Sequence, residues 1–207
     1  MPLIRKTIGP VDAPTGGLEA LQAALSSHHA DERWQAARAL VGMPEGLPLL
    51  GAALAVEGEA RVREVIFTGI ARTGTREGAA LLLPLLRSDD ASLRTGALDA
   101  LAAMPAVLAD TLPSLLHDSD PDVRLLACEL ARGLPSDEAT PLMIDLLERE
   151  TEPNVCAATV DVLAEIGGPQ ALPALMRAGE RFSSSPYLAF AIEIAVKRIK
   201  TSLDTGR

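Results

Sequence analysis

One short pattern returns six times along this 207-residue chain, and it restricts the possible folds more than any composition figure does. Its clearest copy is Ser119–Pro135, SDPDVRLLACELARGLP. An acid and a proline open the segment, a Val-Arg pair follows, then small and apolar residues, then Gly and Pro. With Val123-Arg124 as the anchor, the same place falls to Arg33-Trp34, Val62-Arg63, Leu93-Arg94, Val155-Cys156 and Leu188-Ala189. The second members of these pairs are 29, 31, 30, 32 and 33 residues apart. A period in the range of about 20–50 residues marks a repeat architecture. Each unit is too small to bury its own apolar face and does so against its neighbours.

The residues around the anchor describe a helix start. Pro121, Pro153 and Pro186 each lie two residues before the Val/Leu anchor and suit the first helical position, where the missing N–H costs nothing. Asp120, Glu152 and Ser185 precede them. Asp and Ser are good N-caps, and next to the weaker Glu152 stands Thr151 as a second candidate. Val123, Leu126, Ala127, Leu130 and Ala131 then follow at helical spacing. A second pattern runs out of phase: Leu47-Pro48-Leu49-Leu50, Leu83-Pro84-Leu85-Leu86, Leu112-Pro113-Ser114-Leu115, Thr140-Pro141-Leu142-Met143 and Leu172-Pro173-Ala174-Leu175. A proline is tolerated near a helix start, so each of these predicts the beginning of a second helix. The unit is therefore helix A, a turn, helix B, a turn. A lone B-type helix over Leu18–Ser26 and a lone A-type helix over Pro186–Thr201 close the two ends. The predicted architecture is all-α, a right-handed α-solenoid (superhelix) of about five to six helix pairs. Residues 1–17 are expected as an extended arm, 18–201 as one repeat domain and 202–207 as a tail.

Composition agrees with close-packed helices. Hydrophobic residues make up 48% but aromatics only 2%, so Ala, Leu, Val and Ile must build the core. Two cysteines make no disulfide framework, and a reducing, cytoplasmic setting is expected. No apolar leader stands at the N-terminus, and the longest apolar run, Ala79–Leu86, is far below the ~20 residues of a membrane span. The net charge is −9, with thirteen acidic and three basic residues in 106–165, and six basic and three acidic in 166–207. Such a balance disfavours general nucleic-acid binding.

Reactive chemistry has few candidates. Asp90, Asp120 and Asp122, with Arg63, Arg94 and Arg124, are read as helix caps and links between units. His28-His29 has no further ligands at metal spacing, and Cys128 and Cys156 are expected as buried small hydrophobes. No Gly-rich phosphate loop, HExxH or GxSxG occurs. No catalytic, cofactor-binding or metal residues are assigned. What remains is surface. One residue after each B-helix proline come Leu49, Leu85, Ser114, Leu142 and Ala174; four after it come Ala52, Ser88, His117, Asp145 and Arg177. If both sets face outward they form an apolar stripe beside a mixed-polar one, as a bound peptide or helix requires. The alternative for the first set is packing between repeats. The candidate partner-binding groove is thus Leu49, Leu85, Ser88, Ser114, His117, Leu142, Asp145 and Arg177.

The unit SDPDVRLLACELARG, alternating with segments such as LPSLLHDSD, resembles the short HEAT-like repeats of phycocyanobilin lyase subunits, and the resemblance spans about residues 18–201. The Trp-Gly-Tyr signature of tetratricopeptide repeats and the Thr-Pro-Leu-His of ankyrin repeats are absent. The resemblance implies a HEAT-repeat (armadillo-like) scaffold whose B helices line the concave side and bind another protein or peptide. It leaves two alternatives: a bilin-lyase-type accessory protein holding a tetrapyrrole, and an enzyme with a cryptic metal site. HEAT-like deoxyhypusine hydroxylases use His-Glu pairs, yet none of the three histidines here is followed by Glu. HEAT-like alkylpurine glycosylases rely on a basic groove, opposite to the charge balance of this chain.

Overall fold

The computed structural model describes residues 17–205, so the expected N-terminal arm lies, apart from Gly17, outside the described residues. Twelve α-helices and no strand occur among them. These are α1 (Leu18–Ala24), α2 (Ala30–Leu40), α3 (Gly46–Leu54), α4 (Ala60–Thr73), α5 (Arg76–Leu82), α6 (Ala91–Ala102), α7 (Pro105–Leu116), α8 (Pro121–Ala131), α9 (Ser136–Arg149), α10 (Pro153–Ile166), α11 (Leu172–Arg181) and α12 (Pro186–Thr205). The 3₁₀ turns Leu83–Arg87 and Pro169–Ala171 adjoin α5 and α11. Even-numbered helices are A-type and odd-numbered ones B-type. Five complete A–B pairs stand between a lone B helix, α1, and a lone A helix, α12. The fold class is that of all-α helical-repeat proteins.

Helix starts follow the sequence signals. Asp90 Oδ1 accepts the Ser92 N–H at 2.8 Å, and Asp120 Oδ1 accepts the Asp122 N–H at 2.9 Å. Pro121 and Pro153 hold the first positions of α8 and α10. Ahead of α10, Glu152 holds the N-cap position but its side chain makes no capping bond; Glu150 Oε1 accepts the Thr151 and Glu152 N–H groups, at 2.9 and 3.0 Å.

The B helices depart from expectation. Pro48 and Pro173 lie in the first turns of α3 and α11, but Pro113 and Pro141 lie inside α7 and α9. Helix α7 starts instead at Pro105 and α9 at Ser136. An interior proline forfeits one backbone bond, and the burial of Leu112, Leu116, Met143 and Leu146 offsets it. At Pro84 the same conflict resolves the other way, and α5 gives way to a 3₁₀ turn. The last helix also runs on to Thr205, through most of the expected tail. Thr201 and Ser202 hydroxyls donate to Lys197 O and Arg198 O, and the first breaker in the sequence is Gly206.

The described chain groups into two compact units, divided between Leu81 and Leu82 at the end of α5. In the first, α4 stacks on α2, α1 packs against α2, and α3 lies against both α2 and α4. Leu40, Leu50, Ile66 and Ile70 are its fully buried centre. The tight α2–α3 turn needs glycine: a Cβ at Gly46 would lie 2.2 Å from the Leu40 carbonyl oxygen. In the second unit, α8, α10 and α12 stack in file, and α7, α9 and α11 form a second row against them. Leu112, Leu116, Leu130, Leu146 and Leu163 fill the space between the rows.

Candidate partner-binding surface

Each A helix from α2 to α10 carries a side chain that turns back to the preceding loop. Arg33 Nη1 donates to Ser27 O (2.8 Å), Arg63 Nε to Glu57 O (2.6 Å), Arg94 Nη1 to Ser88 O (2.5 Å) and Arg124 Nη1 to Asp118 O (2.7 Å). Cys156 fills the same slot, with Sγ 3.6 Å from Glu150 O. The partner always lies six residues earlier. This fixes the register of the first repeat: the counterpart of Arg124 is Arg33, not Trp34, one residue from the sequence alignment. The accepting loop residue does a second task. Its side chain takes the N–H two residues on, in His29→Ser27 Oγ (3.1 Å), Glu59→Glu57 Oε1 (2.8 Å), Asp90→Ser88 Oγ (3.2 Å) and Asp120→Asp118 Oδ1 (2.9 Å), as well as at Glu150. Ser88, a groove candidate, therefore serves the turn before α6.

Two of these loop acids also reach the previous repeat. Glu57 pairs bidentately with Arg33 (2.7 and 2.9 Å), and Glu150 with Arg124 (2.6 and 3.0 Å). Both clamps are buried: the Arg124 and Glu150 side chains are 12% and 3% exposed. The Arg33 guanidinium holds the Glu57 carboxyl below its usual range. Burial alone would push Glu150 up, but Arg124 and two backbone N–H groups bring it below normal as well. Among the described residues no buried side-chain nitrogen or oxygen lacks a hydrogen-bond partner.

The two thiols lie in the interior of the second unit. Burial pushes Cys128 and Cys156 up to about 11. Cys128 Sγ sits 3.6 Å from Thr159 Oγ1, and the hydroxyl donates to Val155 O at 2.7 Å. Neither thiol is expected to react with Ellman's reagent in the native protein at neutral pH, whereas both titrate in denaturant. A thiol reacting within minutes in the absence of denaturant contradicts this assignment.

The candidate groove residues lie in different settings. In the second unit, His117 Nε2 and Asp145 Oδ2 are 3.7 Å apart, and Arg149 Nε lies 3.1 Å from the same carboxylate oxygen. Arg149 also donates to Leu116 O at 2.9 Å, at the end of α7. One repeat on, Arg181 donates to Glu148 O (2.7 Å) and Leu147 O at the end of α9, while Arg177 pairs with Glu148. The polar stripe is thus engaged in ties between successive B helices. Ser114 is exposed with its hydroxyl donating to Thr111 O, and Leu85 and Leu142 are half-buried. In the first unit, Leu49 belongs to an open groove of about 490 Å³ between α1 and α3, with Leu25, Ala52, Ala53 and Val56. Val56 is 86% exposed. Sequence reasoning missed Val56 and Leu25, which continue the helical stripe of Leu49 and Ala52 and close it from α1. Large exposed hydrophobics also mark α12, at Tyr187, Phe190 and Ile194.

Among the described residues no three His, Cys, Asp or Glu side chains are placed to hold a metal ion, and no helix is long and apolar enough to cross a membrane.

The HEAT repeat family matches residues 108–183. No curated protein matches the chain in sequence. Among solved structures, an archaeal HEAT-like repeats protein from Thermococcus onnurineus NA1 is similar with a TM-score of 0.51 and 14% identity, over 89% of this chain and 87% of that one. At that identity it shows the fold alone. The complex of CpcE and CpcF of phycocyanin lyase from Nostoc sp. PCC7120 has a TM-score of 0.40 at 17% identity, covering 96% of this chain and 100% of that one. An engineered protein has a TM-score of 0.43 at 21% identity, over 88% and 96%. These last two likenesses are too loose to transfer anything.

Proposed function

We propose that this chain, whose residues 108–183 match the HEAT repeat family, is a HEAT-like repeat protein that acts as a non-catalytic adaptor in the cytoplasm, its B-helix face holding a peptide or helix of another protein. The observation that carries this reading is the groove between α1 and α3. Its floor is apolar, Leu25, Leu49 and Ala53, and Val56 stands 86% exposed at its edge. Isolated surface hydrophobics are common, but an open concavity with these apolar residues, a rim of Gln22, Ser26 and Ser27, and charged lining residues Arg33 and Glu57 that are paired with each other has the composition of a binding groove. The charged groups elsewhere on the B face are occupied in tying helices together, which leaves shape and apolar contact as the means of recognition. An amphipathic partner helix with anchors at i, i+3 and i+7 matches the Leu49, Ala52, Val56 spacing.

The test is affinity capture from the native cell with three proteins side by side: wild type, Val56→Asp and Asp137→Ala. Asp137 is exposed on α9, away from the groove. A charge placed in an apolar anchor site is expected to weaken binding at least tenfold. A partner retained by the wild type and Asp137→Ala but lost from Val56→Asp supports the groove. A partner retained equally by all three removes it. Turnover of any substrate by the purified chain removes the adaptor reading itself.

A further inference from the structure

The first unit has a second concavity, on its A-helix side, that the adaptor reading does not use. It is a groove of about 520 Å³ between α2 and α4, and its chemistry differs from the rest of the chain. Its floor is Trp34, Val41 and Val65, and Arg38 and Arg72 stand on its two walls. No acidic residue lines it. The helices come close here because Gly69 has no side chain: a Cβ there would lie 2.4 Å from Val41 Cγ2. Gly42, at φ +86°, turns the chain away at the end of α2 and leaves the groove open.

The corrected register shows that this charge is local. Five residues after the slot that Arg33 opens, successive A helices carry Arg38, Thr68, Asp99, Glu129 and Asp161. At this position the charge is basic in α2 and acidic in α6, α8 and α10. In the second unit the acids are balanced from within, as where Arg132 pairs with Glu129 and Glu165. In the first, Arg38 lies 5.3 Å from the Trp34 ring centre and carries no ion pair among the described residues. Arg61 covers the same ring at 4.8 Å while pairing with Asp31. Trp34 is half-buried, so one edge of the only indole in the chain forms groove floor.

We propose that this groove binds an acidic amphipathic segment of a partner protein, its apolar residues seated on Trp34, Val41 and Val65 and its carboxylates on Arg38 and Arg72. Arginine forks match carboxylates bidentately, and an aromatic floor supplies apolar area beside them. A nucleic acid is the other polyanion of suitable charge, and the net charge of −9 opposes its long backbone far more than it opposes a short peptide.

Because Trp34 is the only tryptophan, its fluorescence reports occupancy directly. The probe is the Trp-free peptide acetyl-EELLEELLEELL-amide, titrated into the full chain at low and at physiological salt. A saturable change in Trp34 emission is expected, weakened by salt, absent with the lysine counterpart acetyl-KKLLKKLLKKLL-amide, and at least tenfold weaker in Arg38→Gln/Arg72→Gln. Both arginines are exposed, so this variant is expected to keep the wild-type circular dichroism; Arg38→Lys/Arg72→Lys, which preserves charge, should restore much of the binding. Val56→Asp lies in the other groove and should bind the peptide as the wild type does, so failure here and failure of the adaptor reading are told apart. No saturable change, equal binding of the lysine peptide, undiminished binding by the glutamine variant, or tighter binding of oligodeoxythymidylate than of the acidic peptide would each overturn the proposal.

Discussion

Arg124→Met is expected to lower the unfolding free energy by about 3–5 kcal/mol, because it strands a buried carboxylate. Glu150 is 3% exposed on its side chain and keeps only the Thr151 and Glu152 N–H groups once the guanidinium is gone. Those two bonds place the effect toward the lower end of that range. Methionine retains most of the apolar stem, so the loss reports the clamp and not a cavity. The control is Asp31→Ala, which breaks an exposed pair with Arg61 whose side chains are 60% and 79% accessible. Such pairs contribute about 0–1 kcal/mol. Urea unfolding followed by circular dichroism measures both, and equal small effects would mean that the clamp contributes no more than a surface ion pair.

This clamp and the Arg33–Glu57 clamp together set a pH dependence. Glu57 and Glu150 are held below the ordinary carboxylate value in the folded chain. The unfolded state therefore binds more protons once the pH drops below about 4.5, and the stabilisation fades through the acid range. It is fully present at neutral pH. In Arg124→Met the acid slope should be shallower, since Glu150 then gives up less on protonation.

Leu146→Ala is the second large effect, about 2–5 kcal/mol. Leu146 is fully buried on α9, in the layer shared with α7, α8 and α10. Alanine is the better helix former, so helix propensity works against the loss and the whole deficit is lost packing and residual cavity. Leu142, half-buried on the same helix, should cost less than half as much on the same substitution. Denaturant midpoints compare the two, and a Leu142→Ala loss equal to that of Leu146→Ala would place Leu142 in the core and out of any groove.

Much of this was legible in the sequence because the repeat leaves chemical marks. Asp-Pro before α8 and Glu-Pro before α10 locate helix starts to the residue, and periodic Ala and Leu give the buried face. Legibility failed where the marks are missing. Neither a proline nor a capping acid stands at residues 29–30, so Arg33-Trp34 aligns with the Val-Arg anchor one residue out of step, with Trp34 in the Arg place, and only the bond from Arg33 to Ser27 O sets the register. The B-helix prolines misled differently. Proline near a helix start is a preference, and tertiary burial around Pro113 and Pro141 overrides it. The mixed-polar stripe of His117, Asp145 and Arg177 was visible as a stripe. Its engagement with Arg149, Glu148 and neighbouring helix ends depends on contacts about thirty residues away in sequence, which periodicity alone does not reveal.

The account rests on repeats held to their neighbours by arginine clamps, with stability that is local to adjoining units. Amide hydrogen exchange on Arg124→Met against the wild type tests it most directly. The predicted result is lost protection at Thr151, Glu152 and the facing turns of α8–α10, with α2 and α4 unchanged. Even loss from α2 to α12, or full protection at Thr151 and Glu152, would contradict it.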